Sequence, residues 1–435
     1  MHQPRTEVEL SALLRVAHDT RRKVTFRAGG QSLDDQSLNQ DTVIDLGHFN
    51  RIIGSNPRAR TITVQAGARW GDILDYLLPQ GLMPHIVVTT RNATAGGTLS
   101  GNCLSRFSPS YGRTGNHVRR FTLATVTGER LECSRRKNKK LFHAVIGGLG
   151  LFGAVLDITF DLLAIGTAQN VATIIERREG LASFTQRLRE VSRKPGKYAA
   201  VSSVFSLSDP LRGAIIRSHF TNATKGKPFA VHQPDAWYRP LVEWLFTSRR
   251  ISNIASHASF RFLFGATFLD PVRGYTFFMD GNSRAKAIAD DLGLTLACIQ
   301  QTYVIPDRAL LSFLKRARAL FMVHDVYPNI LDTLFLPADE FLLSSSNGLA
   351  GFAVSFVFEG LQVTSPRVRA CLLALNDLCA SVGGRLHLVK SVNAEHAQIQ
   401  RMYAHALPEL RRLKKKYDPN GILENAFFER TLAPA

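Results

Sequence analysis

The run "TTRNATAGGTLSGNCLSRFSPSYGRTGNHV", Thr89 to Val118, goes thirty residues without a hydrophobic period of either the helical or the strand kind. It holds five glycines, many hydroxyls and no acidic residue. A compact domain accommodates so long an irregular stretch where the backbone serves a ligand, or where the chain is disordered. Its place between structured segments favours the first. Small residues over this length suit a ligand lying along the main chain.

Two further glycine stretches frame that run. In "FRAGGQSLDDQSL", Phe26 to Leu38, Gly29 and Gly30 follow a β-like segment. Glycine takes positive φ and lets a ligand approach the main chain, and exposed N–H groups hold phosphate oxygens well. The plainer alternative is an ordinary turn. "GGLGLFG" contains a literal GxGxxG in Gly148, Gly150 and Gly153. A nicotinamide-dinucleotide site needs a strand before such glycines and a helix after them. Here helix-like "LFHAVI" precedes and strand-like "AVLDITF" follows, which excludes that reading.

A chain of 435 residues is long for one hydrophobic core, so two domains are expected. The balance of 54 Lys+Arg against 35 Asp+Glu, +19, favours anionic partners: nucleic acid, an acidic membrane surface or phosphorylated substrates. The five scattered cysteines, with no CxxC, argue against a disulfide framework and against a metal site, and suit a reducing compartment. The N-terminal segment lacks the apolar core of a signal peptide. It reads as an amphipathic helix with a capping-box spacing at Thr6 and Glu9 and a face of Val8, Leu10, Leu13, Leu14 and Ala17. The most apolar run, Ala144 to Leu156, is 13 residues with four glycines, too short to span a bilayer. The expectation is a cytoplasmic protein, with peripheral contact at the inner face of the membrane left open.

Short strands ("KVTF", "TVIDL", "TITVQAG"), a helix ("RWGDILDYLLPQGL") and a hairpin turning at Thr127-Gly128 make residues 1–165 a mixed domain. From residue 166 longer amphipathic helices alternate with strands: "CIQQTYVIP", a helix opening at Pro306, "GFAVSFVFEG", the helix "SPRVRACLLALNDLCASVGG" and a strand "RLHLVKS". The fold class is α+β, with a first domain 1–165, a cap domain 166–385 and a segment 386–435 returning to the first.

In order, these stretches resemble the vanillyl-alcohol-oxidase (PCMH-type) family of FAD-binding oxidoreductases, whose two-domain fold sets an α+β substrate cap over the flavin domain. The resemblance implies FAD. It makes Arg27, Ala28, Gly29, Gly30, Gln31, Ser32 and Leu33 a pyrophosphate loop. It makes Thr90, Thr94, Gly96, Gly97, Ser100, Gly101, Asn102, Leu104 and Ser105 a second flavin-binding run, with Tyr111, Gly112 and Asn116 after it. Gly150, Gly153 and Val155 look like the turn into the last strand of that domain, and "KKKYDPNGIL" like the family's closing Asp-Pro motif. Many members carry a flavin-bonded histidine after the two glycines. Gln31 stands there, and an amide cannot make that bond, so the implied FAD is non-covalent. His85, His117 and His143 do not replace it by position.

Within the family, "TAGGTLSGN", "QTYVIP" and "RLHLVKS" look like counterparts in the decaprenylphosphoryl-β-D-ribose oxidase branch, and "SPSYG" like the 24-dehydrocholesterol reductase branch. The first implies hydride transfer from a sugar hydroxyl carbon to flavin N5, with a small-molecule or lipid-linked sugar as substrate and a nicotinamide-dependent reductase as a possible partner. The second implies the reverse chemistry, reduction of an isoprenoid or sterol C=C bond. Where the ribose-oxidase branch has a histidine, a lysine and a cap-domain cysteine, this chain has Leu104, Arg106 and Val354. Lys390 matches a lysine of that branch and is the candidate cation; on sequence alone a lysine ending an alternating strand is more often a snorkelling surface residue. His387 is the candidate base. On a regular strand the two would face opposite sides.

The basic runs Arg135–Lys140, Ser248–Arg250 and Arg411–Lys416 read as solvated faces, or as attraction to anionic lipid. "AWYRPLVEWLF" reads as a core helix or an interfacial one. No nucleic-acid-binding motif accompanies the charge, so no nucleic-acid partner is expected. A flavin-fold protein without catalysis is the remaining alternative.

Overall fold

The computed structural model describes residues 1–207, 211–229, 267–278, 298–328, 330–359 and 363–434. Helix α1 (Glu7–Thr20) starts where the Thr6 hydroxyl accepts the Glu9 N–H at 3.2 Å. It buries Leu10, Leu14 and Ala17 in a small core with Val24, Ile44 and Leu423. Val8 does not belong to that face. It sits about 160° round the helix from Leu10 and is 80% exposed.

Strands β1 (Val24–Arg27) and β2 (Thr42–Asp45) pair in parallel. There follow β3 (Ile52–Asn56), which the sequence pattern missed, β4 (Thr61–Gln65), helix α2 (Trp70–Leu77) and β5 (Leu82–Pro84). The run Thr89–Val118 is not extended. It is wound into α3 (Ala95–Ser100), α4 (Ser108–Tyr111) and a 3-10 turn at Thr114–His117. The Thr94 hydroxyl caps α3 at the Gly97 N–H, 3.3 Å away, and Pro109 sits in the first turn of α4, where its missing N–H costs nothing. These helices are too short to show a hydrophobic period. Next come β6 (Val118–Ala124), β7 (Arg130–Ser134), α5 (Lys139–Val145) and β8 (Ala154–Ala164). The β6–β7 hairpin turns on Gly128 at φ +76°. Together they form a six-stranded sheet in the order β3-β4-β8-β6-β7, with β5 on β8.

The second sheet has eight strands, β12-β9-β11-β10-β14-β15-β13-β16. Its strands are β9 (Asn170–Glu179), β10 (Ala200–Ser206), β11 (Arg212–Thr221), β12 (Thr267–Pro271), β13 (Cys298–Pro306), β14 (Ile330–Leu336), β15 (Gly351–Glu359) and β16 (Arg385–Leu386). Helices α6 (Leu181–Arg193), α8 (Leu310–Val323) and α9 (Pro366–Ser381) cover one face, and α7 (Val272–Thr276) follows β12. Pro306 ends β13, and a 3-10 turn (Asp307–Ala309) intervenes before α8.

Alternation decides which side chains face which domain. Tyr303, Phe352, Val354 and Phe356 point to the helical side, in one core with Phe313 and Phe321. Val304, Leu336 and Ala353 point the other way, in a cluster with Leu104 of the flavin-binding run. Val354 therefore does not occupy the flavin-facing position of the family cysteine; its neighbours Ala353 and Ser355 are on that side.

The chain ends with α10 (His396–Tyr403), α11 (Leu407–Tyr417) and α12 (Ala426–Thr431). The Val24 N–H donates to Ile422 O at 2.7 Å, and the Glu424 N–H to Val24 O at 3.1 Å. Arg135–Lys140 is exposed, but in the run Arg411–Lys416 Leu413 and Lys414 are buried. Ser248–Arg250 and "AWYRPLVEWLF" lie outside the described residues. Among the described residues no helix is long and apolar enough to cross a membrane.

Candidate active site

Four segments far apart in sequence meet. The first is the glycine loop after β1. Gly30 has φ +57°, and a Cβ on Gly29 would come within 2.5 Å of Asn92 O. Both positions need glycine, for conformation and for contact respectively. The loop thus abuts the second segment, Thr90 to Arg106. There a Cβ on Gly96 would strike Ala66 at 2.7 Å, while Gly97 is exposed. The third is the turn after α5, where Gly147 and Gly150 have φ +77° and +79°. The Gly147 N–H donates to Leu99 O, and the Leu149 N–H to Ser100 O, at 3.0 Å each.

The fourth segment is His387–Val392. The sequence reading made it a strand, yet β16 stops at Leu386 and turns follow. Gln36, in the tail of the glycine loop, donates to Leu388 O at 2.9 Å and to Lys390 O at 3.2 Å. Asp34 accepts the Val392 N–H at 3.0 Å, and Val389 is the atom a Cβ on Gly101 would meet, at 2.9 Å. Strand alternation no longer applies once the strand has ended, so His387 and Lys390 share one environment. The Lys390 charge helps lower the proton affinity of His387.

Lys390 Nζ donates to Gln300 Oε1 at 3.0 Å. Thr302 and Ser355, on the face of the second sheet turned to the flavin domain, join hydroxyls at 2.8 Å. Asp332 on β14 shares that face, hydrogen-bonded to Ser355. Burial raises its pKa, against the pull of Ser355 and of Lys390. His387 is buried, its backbone N–H fixed to Thr302 O at 2.8 Å. Burial first, then the Arg113 and Lys390 charges, push it well below the ordinary histidine range. Cys103 lies within reach of the same two cations, and burial pushes its thiol up to about 11.

The candidates from the sequence therefore fall into two groups. Gly29, Gly30, Gly96, Gly101, Asn102, Leu104, Gly150, His387 and Lys390 take part in these contacts. Arg27 ends β1, with its guanidinium folded over Gly30. Gln31 is exposed, and its amide donates to Gly29 O at 3.0 Å. Ser32 bonds within its own loop, Ser105 caps Phe107, and Thr90 accepts the Asn92 N–H. Gly153 is required by its close approach to Ala124 O, and Val155 lies in the core, paired with Leu123; both serve the sheet. Tyr111 leans edge-on against the stacked rings of His85 and His117. Asn116 accepts the Arg113 N–H at 2.8 Å. Sequence reasoning missed Asp332, Gln300, Thr302, Ser355 and Arg113. A lone carboxylate in the apolar strand "ILDTLFL" was the one available signal.

The exposed Gly97, the positive-φ glycines beside it and the hydroxyls between them form the kind of bare-backbone cradle a dinucleotide fits, bordered by a cation at Lys390. Comparison with known proteins agrees. Residues 1–134 match the FAD binding domain family, and residues 308–431 match the D-arabinono-1,4-lactone oxidase family. Residues 1–134 thus form an FAD-binding domain, and FAD is the cofactor.

Among individual proteins it is similar to an uncharacterised oxidoreductase of the fasciation locus of Rhodococcoides fascians, 31% identical over 37% of this chain. It is similar also to decaprenylphosphoryl-beta-D-ribose oxidase of Mycolicibacterium smegmatis, 33% identical over 38% of the chain. Those two alignments span 36% of each relative's own length. L-gulonolactone oxidase of Bos taurus is 23% identical over 98% of this chain and 94% of its own.

Proposed function

We propose that the chain oxidises a hydroxyl-bearing carbon of a sugar or sugar lactone. One observation carries this reading: the row of hydrogen-bonding groups Asp332, Ser355, Thr302, Gln300 and Lys390, set on the cap-sheet face beside the flavin-binding run. Such a row recognises several hydroxyls at once. An isoprenoid alkene offers these groups no partner beyond those they give one another, which argues against the reverse chemistry. The lactone-oxidase match over the segment that holds Asp332, Ser355, His387 and Lys390 supports the same substrate class.

The Gly29-Gly30 loop, Thr94 to Asn102 and the Gly147–Gly150 turn would hold the FAD, which supplies the acceptor for the hydride leaving the carbon. Gln31, folded back on Gly29 O, supports a non-covalent cofactor. Lys390 stabilises negative charge developing next to it, an effect of preorganised electrostatics that commonly amounts to about 100- to 1000-fold in rate. As the carbon loses its hydride and becomes a carbonyl, the hydroxyl proton needs an acceptor. Asp332 and His387 are the two groups of the site able to take it. The narrower reading, a lipid-linked or phosphorylated sugar, rests on the +19 charge. A reductase partner and contact with an anionic membrane belong to that narrower reading.

The test is anaerobic titration of the FAD-loaded protein with pentoses, their phosphates and aldonolactones, followed by flavin absorbance. Bleaching by one of these classes is expected. If dithionite bleaches the flavin and none of them does, the substrate class is wrong.

A further inference from the structure

Among the described residues Arg113 is the largest charged side chain fully enclosed, 1% exposed like its partner Asp339. It does not meet that carboxylate directly; the closest approach is 3.7 Å. Its hydrogen bonds go instead to the Asn102 carbonyl at 3.0 Å, to the Ser346 hydroxyl at 3.1 and 3.2 Å, and to the Ser345 hydroxyl at 2.7 Å. The last is a short, charge-assisted bond in which Ser345 is necessarily the acceptor, since a guanidinium has no lone pair to offer. The Ser345 proton must therefore point elsewhere, and His387 Nδ1 lies 3.5 Å from that oxygen. That hydroxyl keeps one proton, and among the described residues Nδ1 is the one acceptor within its reach.

We propose that Arg113, acting through Ser345, is a positioning residue that fixes His387 as the Nε2–H tautomer, so that His387 meets the substrate as a hydrogen-bond donor and Asp332 takes the hydroxyl proton. This rests on the oxidation of a hydroxyl-bearing carbon proposed above. In that step the C–H bonding pair leaves as hydride to the flavin and the O–H proton goes to the Asp332 carboxylate, closing the C=O bond. His387 Nε2 makes no hydrogen bond among the described residues and is left for the substrate oxygen.

The charges around the imidazole agree with the assignment. Arg113 faces it from the flavin-binding run, and Lys390 from its own segment. Arg385 donates to Asn347 O, and the Tyr403 phenol donates to Leu386 O at 2.6 Å. The Asp339 carboxylate is engaged by Ser344 and Asn102. Burial and the two cations disfavour the imidazolium, and an unprotonated Nδ1 gives the Ser345 proton an acceptor. Asp332 carries the opposite bias, its proton affinity raised by burial.

The experiment is 15N-histidine NMR of the FAD-loaded full chain without substrate, the His387 signal assigned by its loss in His387→Gln. The wild type should hold an unprotonated Nδ1 and a protonated Nε2 from pH 5 to 8, with no titration. Ser345→Ala removes the donor and should shift the tautomer ratio about fivefold to tenfold toward Nδ1–H. Ser345→Thr keeps the hydroxyl and should restore the wild-type spectrum. Wild-type His387 with Nδ1 protonated, titrating near its ordinary range, or unchanged in Ser345→Ala, overturns the proposal. Because no substrate is present, a wrong substrate class leaves these outcomes as they are. The second readout is the pH profile of flavin reduction: Asp332→Asn should abolish the limb assigned to the proton acceptor, and its persistence there overturns the role of Asp332.

Discussion

Among the described residues, two buried cations, Lys414 and Arg113, lie beside carboxylates, and they do so differently. Lys414 Nζ touches Asp418 directly at 2.5 Å and also donates to Leu423 O at 2.7 Å and Leu151 O at 3.3 Å. Asp418 in turn accepts the Ile422 and Leu423 N–H groups at 2.9 Å each. The set is closed, with every nearby donor and acceptor used. Arg113 and Asp339 stay 3.7 Å apart: Arg113 donates to the Ser345 and Ser346 hydroxyls, whose protons it cannot take, while Ser344 donates to Asp339. A closed pair fastens chain to chain. A cation seated on hydroxyls leaves their protons for a third group.

The comparison can be broken at several points. Lys414→Met leaves Asp418 buried and unpaired, and should cost about 3–5 kcal/mol of stability. Chemical denaturation reads it, and adding Asp418→Asn should recover part of the loss. A loss near zero would mean the closed set fastens nothing. Lys390→Met should do the reverse, slowing flavin reduction about 100- to 1000-fold while the denaturation midpoint stays within about 0.5 kcal/mol of wild type. A third site is neutral rather than ionic. Burial first, then the stacked His85, depress His117 from 6.5 to about 4. The unfolded chain takes up its proton near pH 6.5 and the folded chain does not. Stability is therefore full above that pH and falls as pH drops through the window, by at most about 3 kcal/mol. Melting temperatures from pH 7 to 4 should show this slope, and His117→Gln should flatten it. Smallest is Gln31→Ala. It removes one exposed hydrogen bond, should change stability by less than about 0.5 kcal/mol, and should leave all FAD extractable by acid. Flavin retained on the precipitate of the wild type would mean a covalent link elsewhere.

What the sequence revealed follows the same division. Glycines are legible because their backbone demands are local: Gly29, Gly30 and Gly150 lie in the loops that meet. The strands with clean alternation, "CIQQTYVIP" and "GFAVSFVFEG", were legible for the same reason. Val8 was misassigned by neglect of the 100° step between helical positions, and "RLHLVKS" because β-like composition does not reveal where pairing stops. Asp332, Ser345 and Arg113 stayed hidden because their meaning lies in partners more than 200 residues away for Arg113 and Ser345, which no periodicity encodes. The run Arg411–Lys416 resembled a solvated face while concealing Lys414, since burial of a single lysine leaves no trace in charge pattern.

The bridge between Val24 and Leu423 has a consequence for how the protein is made. The strand that leads into the first flavin-binding loop borrows its edge partner from a residue synthesised nearly 400 positions later, and the Lys23–Glu424 ion pair seals the same seam. At about 5–20 residues per second, the ribosome leaves that edge open for tens of seconds after it first emerges. On the nascent chain that strand has its neighbour Thr42–Asp45 alone to pair with. The loop that this strand leads into gains that support only after the cap has been translated.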